Sequence, residues 1–177
     1  VPPGVPVVPG APVVPVVPVL DVTLEQMERE LYRRSFRQFL QVVRVMEPPP
    51  GRGVIAFEPW PHLAAMADEL GRSQLISVLK ARQIGVSWLL AAYVLWTVLF
   101  KRGAVVLLLS KGQTEAAVLL GKVRFIYQQL PRHLRESLGQ DSGSMMTFPH
   151  MGSKVTALPS TPSAGRSETA TLVVQDE

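Results

Sequence analysis

Three side chains between residues 80 and 87 have the types and the spacing of a site that binds phosphate. Lys80 and Arg82 offer positive charge to phosphate oxygens, and Ser87 offers a hydroxyl where a Mg²⁺ ligand is expected. Gly85, Val86 and Ser87 stand where Gly-Lys-Ser/Thr closes a phosphate-binding loop, and Lys80 stands at the position of the first glycine of that loop. The usual loop lysine is therefore missing, and its charge has moved to other positions.

The segments on either side of this loop predict how it is held. Residues 75–79 form an apolar run typical of a strand, and residues 88–100 form a longer apolar run typical of a helix. In the order strand, loop and helix, the first helical N–H groups have no intrahelical acceptor and can point at a polyphosphate. A plain strand-to-helix turn whose basic side chains face water fits the same residues.

A second motif, at the other end of the chain, favours the phosphate site. Residues 171–175 form an apolar run, and the carboxylates Asp176 and Glu177 follow it directly. In P-loop enzymes the first carboxylate of such a pair holds the metal and the second activates water. The two motifs together predict a nucleotide site in which Ser87 and Asp176 bind Mg²⁺.

These motifs resemble the large terminase subunit of tailed bacteriophages, the ATP-driven motor that packages DNA into a capsid. Four stretches carry the resemblance: FEPWPHL at 57–63, KARQIGVSW at 80–88, LLLSKGQTEA at 107–116 and GSKVTALPSTPSAGRSETATLVVQDE at 152–177. It covers the chain from residue 57 onward and matches only the N-terminal half of such a protein. A lysine or arginine at the front of the loop is an accepted variant in that family.

The resemblance implies an ATP hydrolase whose cofactors are ATP and Mg²⁺. Lys80 and Arg82 would hold phosphate charge, with Arg82 able to act in cis, and Glu177 would orient the attacking water. The family makes its adenine contacts just ahead of the loop, where Trp60 could stack on a purine and His62, in place of a glutamine, could read its edge. Ordinary packing beside a helix start explains those two residues equally well. The nucleotide-binding set is Lys80, Ala81, Arg82, Gln83, Ile84, Gly85, Val86, Ser87, Trp88, Trp60 and His62.

The implied partners are double-stranded DNA, further copies of the chain in a homo-oligomeric ring, the portal protein and the small terminase subunit, in the cytoplasm of the host cell. Two other interpretations stay open. One is another nucleic-acid-dependent P-loop ATPase of the helicase-like kind, and the other is a non-enzymatic membrane or scaffold segment built on the apolar run 88–100. A spanning helix needs about 20 apolar residues, so this shorter run favours a helix buried beneath a sheet and no membrane partner.

Composition sets wider bounds. The chain has 177 residues, 47% of them hydrophobic, which suffices for one globular domain with a real core. It has no cysteine, which excludes disulfides and thiolate metal sites. Its net charge of +4 permits contact with a polyanion without demanding one. The arginines of residues 23–46 give that segment a basic side, which fits either a solvated helix face or a contact with DNA or a neighbouring subunit. They are Arg29, Arg33, Arg34, Arg37 and Arg44.

The predicted fold is an α/β P-loop NTPase of the ASCE type, with a mainly parallel sheet and helices on both faces. Residues 1–22 are a Pro/Val-rich disordered or extended tail, 23–56 an N-terminal helix and linker, and 57–177 the ATPase domain, truncated at its acidic pair and lacking the nuclease domain. Strands are expected at 104–109 and 171–175, with a hairpin of 145–148 and 154–158. Helices are expected at 23–46, 61–71 and 88–100. A further helix starts within 110–113 and places Ala116, Leu119, Leu120, Val123 and Ile126 in the core, with Lys122 and Arg124 facing away.

Overall fold

The computed structural model describes residues 23–47, 51–81 and 84–176. The predictions for the tail at 1–22, and the roles given to Arg82, Gln83 and Glu177, lie outside the described residues. Within them the chain has the predicted α/β class: a four-stranded sheet packs against two long helices, and a separate two-stranded sheet lies in the N-terminal part.

The strand β3 (Val105–Ser110) lies in the interior of the four-stranded sheet. It is almost wholly aliphatic, as suits a strand covered on both faces. The strands β5 (Ser153–Pro159) and β6 (Leu172–Gln175) pair with it in parallel on its two sides, and β4 (Met145–Phe148) pairs antiparallel with β5. The predicted hairpin and the predicted last strand are therefore confirmed, in a sheet that is mixed.

Two long helices, α4 (Val86–Phe100) and α5 (Gln113–Gln129), pack against each other and against β3 and β5. Ten of the fifteen residues of α4 are buried, as expected for a helix that is apolar on every side. No helix in the described ranges is both long and apolar enough to cross a membrane. The buried residues of α5 are the five that its spacing predicts, Ala116, Leu119, Leu120, Val123 and Ile126.

The opposite face of the sheet is covered differently from the prediction. Val106 and Leu108 belong to the main core, whereas Leu107 lies between them in the strand and therefore points to the other face. A Cβ atom at Gly165 would come within 2.6 Å of Leu107 Cδ1. The structure thus places the loop that connects β5 to β6 over Leu107, where the sequence predicts a helix.

The helix α3 (Pro61–Leu70) is confirmed at its predicted place. It begins at a proline, which has no N–H to leave unpaired and has a φ that suits the first helical turn. Its buried residues are Leu63 and Ala67. The Tyr93 hydroxyl of α4 donates a hydrogen bond of 2.8 Å to the Leu70 carbonyl, so α3 is held against α4.

The N-terminal segment begins with a helix, as predicted, and this helix is capped. Thr23 and Gln26 form a capping box at the start of α1 (Leu24–Arg34), each side chain bonding the backbone N–H of the other. The helix then ends at Ser35, whose side chain caps α2 (Phe36–Phe39). Two helices therefore replace the first two-thirds of the single helix predicted for 23–46.

The prediction of a helix is wrong for residues 40–46. A 3₁₀ turn at Leu40–Val42 leads into the strand β1 (Arg44–Glu47), which pairs antiparallel with β2 (Gly53–Ala56). Val45 is buried and lies opposite Ile55 in this pairing. The β-branched side chains and a strand partner close in sequence outweigh the helical spacing of the apolar residues.

The basic side of the N-terminal segment is largely paired within the chain. Hydrogen bonds from Arg33 and Arg34 lower the pKa of the Glu30 carboxyl to about 2. Arg29 forms an ion pair with Glu136 and Arg37 forms one with Asp68. Any contact of this face with DNA or with a neighbouring subunit would have to compete with these pairs.

The apolar run at 75–79 is not a strand, contrary to the prediction. Leu75 and Leu79 are 90% and 104% exposed. The run borders a cavity of about 620 Å³, whose other walls come from α3, α4 and β6. A strand needs a backbone partner, and the cavity separates this run from the edge of β6 that it would pair with.

Candidate functional site

Three of the predicted site residues meet at the start of α4. The Ser87 hydroxyl donates a hydrogen bond of 2.8 Å to Asp176 Oδ2, and Lys80 Nζ lies 3.3 Å from Asp176 Oδ1. The side chains of Lys80 and Asp176 are 20% and 19% exposed, so a ligand can reach both. The two sequence motifs therefore converge on one carboxylate.

The position of Asp176 is fixed by the sheet. It follows β6, and its N–H donates to the Leu109 carbonyl at 3.0 Å, which continues the parallel ladder with β3. The Ser110 hydroxyl donates to the Asp176 carbonyl at 2.8 Å. Two hydrogen bonds to the main chain thus hold this carboxylate at the carboxyl ends of two parallel strands, where open α/β sheets bind ligands.

Ser87 is positioned by the tight turn that starts α4. Gly85 precedes the helix with a φ of +81°, a conformation that a residue with a Cβ rarely adopts. A Cβ at this position would also come within 2.9 Å of Leu63 Cδ1 in α3. Glycine is therefore favoured here, mainly by the positive φ and in addition by the space that Leu63 occupies. It allows the chain to turn from the loop into the helix and brings Ser87 into the first helical turn.

The other predicted nucleotide-binding residues in the described part of the loop surround this turn. Val86 is buried and Ile84 is half-buried, so these two can meet a ligand only through their backbone or a small part of their side chains. Ala81 is exposed. The half-buried Trp88 packs edge-on against Phe125 of α5. Loop amides and the Ser87 hydroxyl, together with Lys80, are thus the groups that this segment presents.

Trp60 and His62, predicted to contact adenine, lie beside the loop. Trp60 is 58% exposed, and its ring meets that of His62 edge-on at a centroid distance of 5.7 Å. His62 Nε2 lies 3.1 Å from the Ile84 carbonyl, at hydrogen-bonding distance. The pair is therefore attached to the loop by His62, and an adenine contact by Trp60 stays a prediction.

Lys122 lies beside the candidate site, which the prediction that it faces away from the core did not include. The side chain is half-buried, and its Nζ lies 5.5 Å from the centroid of the Trp88 ring. It lines a cleft of about 180 Å³ that also reaches Asp176. Burial lowers the pKa of Lys122, the Asp176 charge opposes that lowering, and the Lys80 charge adds to it. The other residues of this cleft are Ser110, Lys111, Glu115, Val118 and Leu119.

The sequence does not identify Lys122 as a site residue, because the pattern of α5 gives no information about the helix that packs beside it. Helical spacing correctly excludes Lys122 from the apolar stripe of α5, which suggests a solvated position. The packing of α4 against α5 then brings Trp88 and the end of β6 to that side. The other residue predicted to face away, Arg124, bonds the Asp141 carboxylate at 2.8 Å.

The predicted Mg²⁺ ligands, Ser87 and Asp176, suit the ion in their chemistry and in their separation. Mg²⁺ binds hard oxygen ligands at about 2.1 Å and in octahedral geometry, so two neighbouring ligands lie about 3 Å apart. Ser87 Oγ and Asp176 Oδ2 are both oxygen donors and lie 2.8 Å apart. Mg²⁺ commonly takes only one or two protein ligands, with water and phosphate oxygens for the rest. These two residues therefore fit the ion, although residues 23–47, 51–81 and 84–176 hold no group of three or more His, Cys, Asp or Glu that could bind a metal.

Comparison with known proteins adds no assignment to this geometry. A scan against models of protein families and a search among curated proteins found no match to the chain. The function of this chain therefore has to be inferred from the site itself and from the motifs that form it.

Proposed function

We propose that this chain is the ATP-hydrolysing part of a viral DNA-packaging motor, similar to the N-terminal half of a large terminase subunit of tailed bacteriophages. The observation that supports this most is the meeting of Ser87 with Asp176, two residues 89 positions apart that belong to separate predicted motifs. A chance match of either motif gives no reason for the two to touch. The Lys80 ammonium beside the same carboxylate supplies a positive charge in place of the missing loop lysine.

In this proposal the residues of the loop bind the phosphates of ATP. The first N–H groups of α4 point along the helix axis toward the ligand, where the helix dipole favours negative charge. Lys80 turns its ammonium from Asp176 to the phosphate oxygens, and Arg82 adds charge in cis. Ser87 and Asp176 would hold Mg²⁺, which neutralises phosphate charge as it develops in the transition state.

Hydrolysis requires a water molecule in line with the terminal phosphorus. Glu177 follows Asp176 directly and is assigned to orient that water and to receive its proton, while the bond from the terminal phosphorus to its bridging oxygen breaks. The products are ADP and inorganic phosphate. Because such a reaction depends mainly on positioning and on charge stabilisation, these few residues suffice for the chemistry.

The cargo and the partners come from the resemblance. They are double-stranded DNA, other copies of this chain in a ring, the portal protein and the small terminase subunit, in the host cytoplasm. A packaging motor and a helicase-like ATPase differ in the nucleic acid that stimulates them. We expect ATP hydrolysis to rise with blunt double-stranded DNA and to respond less to single strands, whereas stimulation by single strands alone would favour the helicase-like alternative.

The nucleotide site is tested by Lys80→Ala in a titration with a fluorescent ATP analogue and Mg²⁺. We expect a loss of affinity of ~10-fold or more, because a hydrogen bond to a charged group contributes about 1.5–3 kcal/mol. Lys101→Ala is the matched control, since Lys101 is an exposed lysine at the opposite end of α4. Equal affinity of the Lys80 variant and the parent protein would contradict the assignment.

Glu177→Gln separates hydrolysis from binding. A group that orients water acts in the transition state and adds little to ground-state affinity, so the variant should bind MgATP like the parent. Its rate of phosphate release should fall by a factor of ~10² to ~10⁴. Unchanged turnover in the variant would show that Glu177 has no catalytic role.

A further inference from the structure

Two lysines approach Asp176 from different sides. Lys80 borders the large cavity between α4 and β6, and its Nζ lies 3.3 Å from Asp176 Oδ1. Lys122 borders the smaller cleft at the carboxyl ends of β3 and β6, which shares Asp176 as a lining residue. The carboxylate thus separates two cation-bearing spaces, and only the first of them is accounted for by the loop motif.

The ammonium of Lys122 is held by a weak contact, which a stronger ligand could replace. Its Nζ lies over the Trp88 ring at 5.5 Å from the centroid, a cation–π contact of the kind that contributes about 0.5–2 kcal/mol. A charge-assisted hydrogen bond to a phosphate oxygen is stronger than this. Trp88 directly follows Ser87, the serine that bonds Asp176, so the ring that holds the ammonium belongs to the neighbour of a site residue.

Because the Lys122 side chain is half-buried, an anion beside it would stabilise its charged form. It lowers the pKa of Lys122 because a half-buried ammonium loses hydration, and the Asp176 charge only partly offsets this loss. The Asp176 carboxylate is itself shared with Ser87 and Lys80. A phosphate group in the cleft would therefore meet an ammonium whose lost hydration the Asp176 charge offsets only in part.

We propose that Lys122 is a phosphate-binding residue of the site, which moves from the ring of Trp88 to the terminal phosphate of bound ATP. This inference rests on the proposed ATPase function and adds to it a cation from α5, a helix outside both sequence motifs. The terminal phosphate is the one assigned because the cleft lies at the ends of β3 and β6 and is lined by Asp176, which precedes Glu177 in the sequence. The inner phosphates stay with Lys80 and the start of α4.

The chain offers a matched control for this proposal. Lys101 Nζ lies 5.2 Å from the centroid of Trp96, so an equivalent lysine–tryptophan contact exists at the opposite end of α4. Methionine keeps much of the lysine stem and removes the charge, and arginine keeps the charge. Lys122→Met, Lys122→Arg and Lys101→Met therefore separate charge at the site from packing against an aromatic ring.

In the experiment, the parent protein and each variant of the whole 177-residue chain are titrated with MgATP and with MgADP. Lys122→Met should lose ~10- to ~100-fold of its affinity for ATP and little for ADP, Lys122→Arg should recover most of the loss, and Lys101→Met should match the parent. Parental ATP affinity in Lys122→Met, alongside a clear loss in Lys80→Ala, would overturn this inference and leave the ATPase proposal standing. If the parent binds no MgATP, both fail.

A second measurement needs no substitution, and so does not depend on whether a variant folds. The parent protein is treated with a limiting amount of a small lysine-acylating reagent, and the modified residues are found by mass spectrometry with and without MgATP. Modification of Lys122 should fall at least ~10-fold when MgATP is bound, and that of Lys101 should stay constant. Equal modification of Lys122 with MgATP and without it would contradict the proposal.

Discussion

Two apolar runs precede and follow α4, and only the second of them is a strand. β3 lies between β5 and β6, with a hydrogen-bond ladder on each side, and its central residues are buried. The run at 75–79 has a similar composition, but it lies across a cavity from the outer edge of β6, and Leu79 is fully exposed. Apolar composition therefore makes a strand possible, and neighbouring strands decide whether it forms.

The same difference divides the candidate site into two parts. Asp176 is held by main-chain hydrogen bonds to Leu109 and Ser110, which belong to β3. Lys80 follows the run that has no such ladder and reaches Asp176 through its side chain. The metal-binding part of the proposed site is therefore built on a fixed sheet, and the loop cation lies on a segment that can adjust to a nucleotide.

The largest change in stability is expected from Leu108→Ala in β3. Leu108 is fully buried in the main core, so its truncation should lower the free energy of unfolding by about 2–5 kcal/mol. Urea unfolding followed by circular dichroism measures the change. A loss below about 1 kcal/mol would mean that β3 is not the packed centre described here.

Gly85→Ala tests the junction between the exposed run and α4. Alanine would need a strained positive φ and would displace Leu63, so we expect a loss of about 1–3 kcal/mol in unfolding free energy. Gly121→Ala is the control, because this helical glycine of α5 has open space around it and alanine there should stabilise by about 0.5–1 kcal/mol. Stabilisation by both substitutions would show that the turn at Gly85 is not strained for alanine.

The smallest effect is expected from Leu79→Ala, the counterpart of the β3 substitution. Leu79 is 104% exposed, so its truncation should change the free energy of unfolding by no more than about 0.5 kcal/mol. The same urea titration gives the value. A loss that approaches the one for Leu108→Ala would mean that the run is packed in solution and that the two regions are alike.

The sequence predicts well those parts of the fold in which local pattern and neighbours agree. In α5 the five core positions follow from helical spacing, and the hairpin of β4 and β5 follows from two apolar runs around a turn. The prediction from sequence is wrong where the secondary structure of a segment depends on which other strand it can pair with. Residues 44–46 belong to the segment predicted as a helix and pair as a strand with β2, and the run at 75–79 has a strand pattern and no strand partner among the described residues.

The candidate site divides along the same line. Lys80, Ser87 and Asp176 are found from sequence because each lies in a motif whose chemistry fixes the type and spacing of its residues. Lys122 lies in no motif, and its position depends on how α5 packs against Trp88 and on where β6 ends. A helical pattern gives the direction of a side chain from its own axis, and cannot give what lies in that direction.

The parallel order of the sheet also fixes when the site can form. β3 pairs with β5 and with β6, and the residues opposite Val106 are Val155 and Leu172, far along the chain. Such pairs form only after long loops have closed, which makes folding slow. On a ribosome, α4, β3 and α5 emerge before the strand that carries Asp176. Ser87 therefore acquires its carboxylate partner only after β6 has joined the sheet, and a chain that has not yet folded β6 lacks one of the two residues proposed to bind Mg²⁺.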